Sequence, residues 1–315
     1  MQYSRVLRVG SLLLGAFLSF PVLVGTPIVG TVTVSPAHGS ERQRSCPAEM
    51  VQVGAFCVDR WEIMTVDRKT RRDLSPYYPP LPSLLRRIYD TWQIERLNMG
   101  DSEARLLPLP EPPEWQLTDD FEPAAVSRPG VIPQAYLSRD LARRACENSG
   151  KRLCRMDEWK RACRGSQQRD FPYGTAYVPG TCNVDRLIHS AAVLHGNASA
   201  GHLDPRLNLV WETDTDPLLR PTGTTKNCVS RWQDDGIYDM VGNLDEWVDD
   251  EAGGFVGGFY ARSTTKGCEA RVKVHPPIYY DYSTGARCCR DVTPQQRVGL
   301  RGDCFGLNAN GSTKR

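Results

Sequence analysis

The first apolar run, SLLLGAFLSF at residues 11–20, follows a short segment that carries Arg5 and Arg8 and no acid. Its weakly apolar character fades only near Val34. From Cys46 the pattern alternates, and CPAEMVQVGAFCVDRWEI predicts a strand, a turn and a second strand. Residues 66–133 lose that rhythm. Proline recurs there from Pro76 to Pro133, removing donors and fixing the backbone. The stretch therefore predicts mostly extended coil, with helical spacing only over residues 83–97. Order returns in AYLSRDLARRACENSGKRLC, where Ser138 stands as an N-cap. Leu137, Leu141 and Ala145 share one helical face, and Gly150 closes the helix. A second short helix is predicted over residues 157–164, with Trp159, Ala162 and Cys163 on one face and Gly165 after it. Beyond it glycine, proline and asparagine arrive every few residues, which predicts loops and short strands. No internal repeat is evident.

The basic start, the apolar run and the small residues Ser35-Pro36-Ala37 have the layout of a secretory signal peptide, so residues 1–37 are expected to be removed. The competing reading is a retained anchor. Pro21, Pro27 and four glycines make the run a poor spanning helix, so no stable membrane span is expected after cleavage. Residues 38–45 read as a polar linker and residues 46–305 as one domain, with the proline-rich insertion at about 66–133. Residues 306–315 read as a tail. Without residues 1–37 the chain holds 37 basic and 37 acidic residues. That neutrality argues against nucleic acid as a partner, because phosphate binding needs clustered positive charge.

All 11 cysteines lie beyond residue 37, and in an exported chain that density reads as disulfides. The expected location is secreted or periplasmic. No Cys-x-x-Cys pair occurs, so neither a zinc ribbon nor a thioredoxin-type motif is available. The odd count leaves at least one thiol free or paired between chains. Cys288 and Cys289 are adjacent and, in an extended segment, point to opposite faces and serve different partners. Cys46 with Cys57 is the local pairing expected.

Several segments carry more specific information. In order they are FCVDRWEI (56–63), SGKRLCRMDEWKRACRG (149–165), FPYGTAYVPGTCNVD (171–185), YDMVGNLDEWVDD (238–250), GGFY (257–260), CEAR (268–271) and GARCCRD (285–291). Taken together, residues 46–291 resemble the formylglycine-generating enzyme, or sulfatase-modifying factor, domain family, with 66–133 the least matched part. The resemblance implies an α+β fold, mostly irregular, with few short helices and strands and related to the C-type-lectin-like fold. It also implies structural calcium. Residues 238–250 are either an acidic turn or a segment built to hold a cation, and calcium takes six to eight hard oxygens. The family's calcium segment is matched by Gly242, Asn243, Leu244, Glu246 and Trp247. Expected ligands are the carbonyls of Val241, Gly242 and Leu244 and the Glu246 carboxylate, with Asn243 shaping the turn or ligating. A second family site begins at a pair matched by Asn183 and Val184, with Asp214 or Asp216 open as its downstream ligand.

The chemistry implied by the family is less complete here. Its catalytic members oxidise a client cysteine to formylglycine with copper(I) and oxygen, holding the metal by Cys-x4-Cys. Soft sulfur is what a cuprous ion selects. In this chain GGFY runs directly into ARSTTKGCEAR. Arg262 falls where the first thiolate should, and Ser263 or Thr264 stands near the second. Cys268 matches a different family cysteine. Neither copper nor formylglycine generation is therefore expected. His189, His195 and His202 lack helical ligand spacing and read as loop histidines. His275, Tyr279 and Arg262 form a candidate ligand groove, since aromatic-rich loops suit recognition. The sequence thus points to an exported binding or envelope-associated module for a protein, peptide or glycan. The alternative is an oxidoreductase that modifies a protein or small-molecule client by a non-standard route.

Overall fold

The computed structural model describes residues 46–273 and 275–292. The expected signal peptide, the linker, the tail and Cys304 lie outside the described residues. In chain order the first elements are β1 (Met50–Val53), β2 (Phe56–Asp59), β3 (Ile63–Asp67), α1 (Pro82–Glu95), α2 (Ser102–Leu106), α3 (Glu114–Thr118) and β4 (Pro123–Ser127). Then come α4 (Arg139–Glu147), β5 (Arg152–Leu153), α5 (Met156–Arg164), α6 (Ser190–His195), β6 (Trp211–Thr213), β7 (Asp216–Pro217), β8 (Val229–Trp232) and β9 (Asp235–Tyr238). The last are β10 (Asp245–Trp247), β11 (Phe255–Val256), β12 (Arg271–Val272), β13 (Thr284–Ala286) and β14 (Cys288–Asp291). Most strands are very short, as the α+β reading with little regular structure requires. No helix among the described residues is long and apolar enough to cross a membrane.

Two four-stranded sheets organise the core. One has the order β1-β2-β14-β5 and the other β12-β11-β10-β13. In the second, β10 and β13 run parallel while the remaining pairs are antiparallel. Only Arg287 separates β13 from β14, so one extended stretch serves both sheets. The adjacent cysteines of β14 point to opposite faces, as the strand period demands. Cys288 bonds Cys146 of α4, and Cys289 bonds Cys154. The expected Cys46–Cys57 bridge is present, and Cys163–Cys268 and Cys182–Cys228 complete five disulfides.

Both predicted helices of the central region form. Ser138 Oγ accepts the Leu141 N–H at 3.2 Å and starts α4, while Gly165 ends α5 with φ +66°. Residues 66–133 are more ordered than the expected coil. The helical spacing becomes α1, and β4 pairs antiparallel along the whole of β3, from Ile63↔Ser127 to Asp67↔Pro123. Leu85, Ile88 and Trp92 of α1 pack on Leu74, Tyr78, Leu109 and Phe121, giving this segment a core of its own. It docks where Gly100, at φ +81°, passes so close to Leu194 O that a β-carbon would lie 1.9 Å from it.

Candidate functional site

The segment that raised the calcium question is the turn into β10. Gly242 (φ +85°) and Asn243 (φ +64°) are both in the left-handed region. A β-carbon on Gly242 would lie 2.3 Å from Asn183 O, so only glycine permits this approach. Asn183 forms a parallel bridge with Gly242, and its carbonyl accepts the Asn243 N–H at 2.9 Å. The Asn243 side chain then donates to Glu62 at 2.7 Å and accepts from Arg220 N–H at 3.0 Å and Asn183 Nδ2 at 2.9 Å. The two segments expected to begin separate calcium sites are thus knotted to each other.

Glu246 lies one residue into β10 and is 1% exposed. Arg287 Nε donates to its Oε2 at 2.7 Å and Nη2 to its Oε1 at 2.6 Å, while Trp159 Nε1 donates to Oε2 at 2.6 Å. The guanidinium also reaches Asp59 O and Tyr238 O. Two more carboxyls share this hub. Burial, then the charges of Asp239 and Glu246, push Glu62 well above the ordinary carboxylate range. Burial likewise pushes Asp239 up to about 6, against the Gly223 N–H and Arg287. A guanidinium supplied by the chain stands in the middle of three buried carboxyl groups.

Successive residues of a strand face opposite ways, so Asp245 looks away from that hub. It is 1% exposed, and Arg262 Nη1 donates to its Oδ1 at 2.9 Å and lies 2.8 Å from Oδ2. Burial pushes the Asp245 carboxyl up to about 7 despite Arg262. The half-exposed Arg262 guanidinium lies 5.1 Å from the Phe259 ring and 5.9 Å from the Phe255 ring, within cation–π range. On one side Phe255, His275 and Tyr279 are stacked, the last two with centroids 3.8 Å apart. The Tyr279 hydroxyl donates to Asp281. On the other side Phe259 meets Tyr282 edge-on at 5.7 Å, and His189 Nε2 lies 3.2 Å from the Tyr282 hydroxyl. His202 is tilted against the same Tyr282 ring at 5.8 Å.

Arg262 and the His275–Tyr279 stack thus meet on the Phe255 ring. The structure adds residues that sequence reasoning passed over. His189 and His202 lie against the Tyr282 ring, whereas His195 turns into the core beside Trp92 and Asp204. Their sequence spacing carried no signal of this split. Asp245 and Phe255 were hidden because nothing local marks which face of a short strand meets Arg262.

The family model for the sulfatase-modifying factor enzyme 1-like domain matches residues 113–302. The chain belongs to that family. Among solved structures, one titled "Crystal Structure of CarF" is similar at 13% identity and TM-score 0.35, over 76% of this chain and 87% of that one. "Structure of PvdO from Pseudomonas aeruginosa" is similar at 14% identity and TM-score 0.33, over 78% of this chain and 99% of that one. No curated protein matches.

Set beside the metals of the sulfatase-modifying factor family, the side-chain donors expected here are already engaged. A calcium ligand must offer free oxygen, and both oxygens of Glu246 are held by Arg287. The Asn183 carbonyl and the Asn243 amide oxygen are likewise engaged within the knot. Asp216 pairs with Arg186 and Arg220. For copper, no described cysteine offers a free thiol. Cys268 is bonded to Cys163, and all ten described cysteines are in disulfides. Thr264, near the second expected thiolate, instead packs its hydroxyl against Gly258. Among the described residues, no three His, Cys, Asp or Glu side chains are grouped to hold a metal ion.

Proposed function

We propose that this chain is an exported member of the sulfatase-modifying factor family that does not generate formylglycine and binds a ligand in the groove around Arg262. The observation that carries the reading is the Arg262–Asp245 pair. It fills the stretch where the family resemblance calls for soft sulfur ligands, while the nearby Cys268 is locked to Cys163. Five disulfides and the signal-peptide pattern of residues 1–37 support an oxidising destination. The stacked aromatic rings supply contact area at low entropic cost, which suits recognition.

The test is incubation of the purified protein with copper(I), oxygen and a peptide containing Cys-x-Pro-x-Arg, followed by mass spectrometry. The peptide mass should stay unchanged, and copper should not bind with high affinity. A mass loss matching conversion of the thiol to an aldehyde would overturn the reading.

A further inference from the structure

We infer that the free edge of β4 is a docking site for an extended peptide of about four residues, added antiparallel to β4 with its carboxyl end at Arg71. The inference stands apart from the Arg262 site and needs no ligand there. It starts from the backbone groups that the β3–β4 pair leaves over. Leu74 N–H donates to Thr65 O at 3.0 Å, Asp67 N–H to Arg72 O at 2.8 Å and Gln134 N–H to Ile63 O at 2.8 Å. Ile63, Thr65 and Asp67 thus turn their backbone groups away from β4, and Met64 and Val66 make the ladder to Val126 and Ala124. Ala125 and Ser127 alternate with those rungs, so their N–H and C=O groups point away from β3. Pro123 faces the same way, and its carbonyl accepts Asn148 Nδ2 at 2.9 Å. The backbone groups of Ala125 and Ser127 have no such partner among the described residues. The two residues are only 3% and 4% exposed, and a buried backbone group without a partner is costly.

Ala125, Val126 and Ser127 line a cleft of about 500 Å³, and Asn148, Ser149 and Lys151 line it with them. Two further lining residues mark its ends. Arg71 stands at the Pro123 end, since its N–H donates to the carbonyl of Asp67, which pairs with Pro123. Glu49 stands at the Ser127 end, since its carbonyl accepts the Arg60 N–H and the next N–H, of Trp61, donates to Ser127 Oγ. Arg71 is exposed, and its guanidinium has no partner among the described residues. The Glu49 carboxylate lies 3.4 Å from Lys151 Nζ, which donates to buried Asp59 at 2.6 Å. A cation at the start of β4 and an acid at its end orient a peptide opposite to β4, carboxyl end at Arg71 and amino end at Glu49. A small ion would meet only donors or only acceptors. A second strand meets both on every second residue, at the spacing of about 6.8 Å that Ala125 and Ser127 present. Val126 belongs to the apolar side of the β3–β4 pair and Asn148 and Ser149 to the far side, so alternating apolar and polar side chains suit the peptide.

The experiment is a titration of the intact protein with the peptide Thr-Val-Thr-Val, both termini free, followed by backbone amide NMR. The Ala125 and Ser127 amide protons should shift downfield as they gain acceptors, with smaller changes at Ala124 and Val126, whose N–H groups already serve β3. The same peptide methylated on its amide nitrogens should bind at least about tenfold more weakly. Amidating its carboxyl end should weaken binding about tenfold, and Arg71→Gln should weaken the free acid to the same degree while leaving the amide form unchanged. Arg71 is an exposed turn residue, so this variant folds, and the methylated peptide tests the backbone bonds with no variant at all. Unshifted Ala125 and Ser127 amides, equal binding of the methylated peptide, or an Arg71→Gln effect that ignores the carboxyl end would each overturn the inference. Contacts from those two amides to residues 293–315 in the free protein would overturn it as well, by showing that the chain fills its own edge.

Discussion

Arg287 carries a charge into the core, where Glu246 takes two of its donors and Glu62 and Asp239 stand close enough to perturb it. Replacing it by methionine keeps much of the volume and removes the cation. Breaking a buried pair from one side costs about 3–5 kcal/mol because the other charge is stranded. Urea unfolding of Arg287→Met should show a loss of that size, and a change near zero would mean the pair does not hold the hub. The same geometry bears on calcium. Since Arg287 neutralises Glu246, the thermal midpoint should be equal in EDTA and in millimolar calcium. A clear rise with calcium would reveal a ligand set that the side-chain pairing does not offer. GNLDEW was legible as an oxygen-rich turn. Its partner was not, because Arg287 lies 41 positions further on and the segment itself does not distinguish an ion from a guanidinium.

Helix α4 begins on a single side-chain bond, Ser138 Oγ to the Leu141 N–H, and its buried face of Leu141, Ala142, Ala145 and Cys146 supports β13 and β14 through the Cys146–Cys288 bridge. Ser138→Ala should cost about 1 kcal/mol of stability, measured by chemical denaturation, with no change in the disulfides. A neutral effect would show that the bridge alone fixes the helix start. This helix and α5 could be read from sequence because cap, apolar face and closing glycine all lie within a few turns. β4 could not. Its partner β3 is separated from it by the whole proline-rich stretch, and pairing across such a distance depends on tertiary packing rather than local pattern. Arg262 was legible only as a departure from the order of motifs in the family, while its partner Asp245 became evident from the strand's two faces.

At the scale of the molecule, one buried cluster joins the inserted segment to the rest. Asp204 accepts from Arg206 Nε at 3.0 Å and Nη2 at 2.7 Å, and His195 Nε2 lies 3.1 Å away. Arg206 Nη1 reaches across to Ala104 O at 2.5 Å, and Trp92 of α1 packs on His195 at 5.7 Å. Burial pushes the Asp204 carboxyl up, but His195 and Arg206 outweigh it and hold the group below its ordinary value of 3.8. The folded protein thus binds fewer protons than the unfolded chain in that range. Its contribution to stability is present above about pH 4 and is lost as pH falls through the folded-state value. Asp204→Asn removes that dependence and strands the Arg206 charge, at a cost of about 3–5 kcal/mol near neutrality. The acid limb of a stability-versus-pH curve should become shallower in the variant. Limited proteolysis should also cut it sooner between α1 and α2, where the segment loses its hold on Arg206. An unchanged acid limb with unchanged cleavage would place the coupling elsewhere, in the shared apolar contacts of Ala104 and Leu207 rather than in the charges.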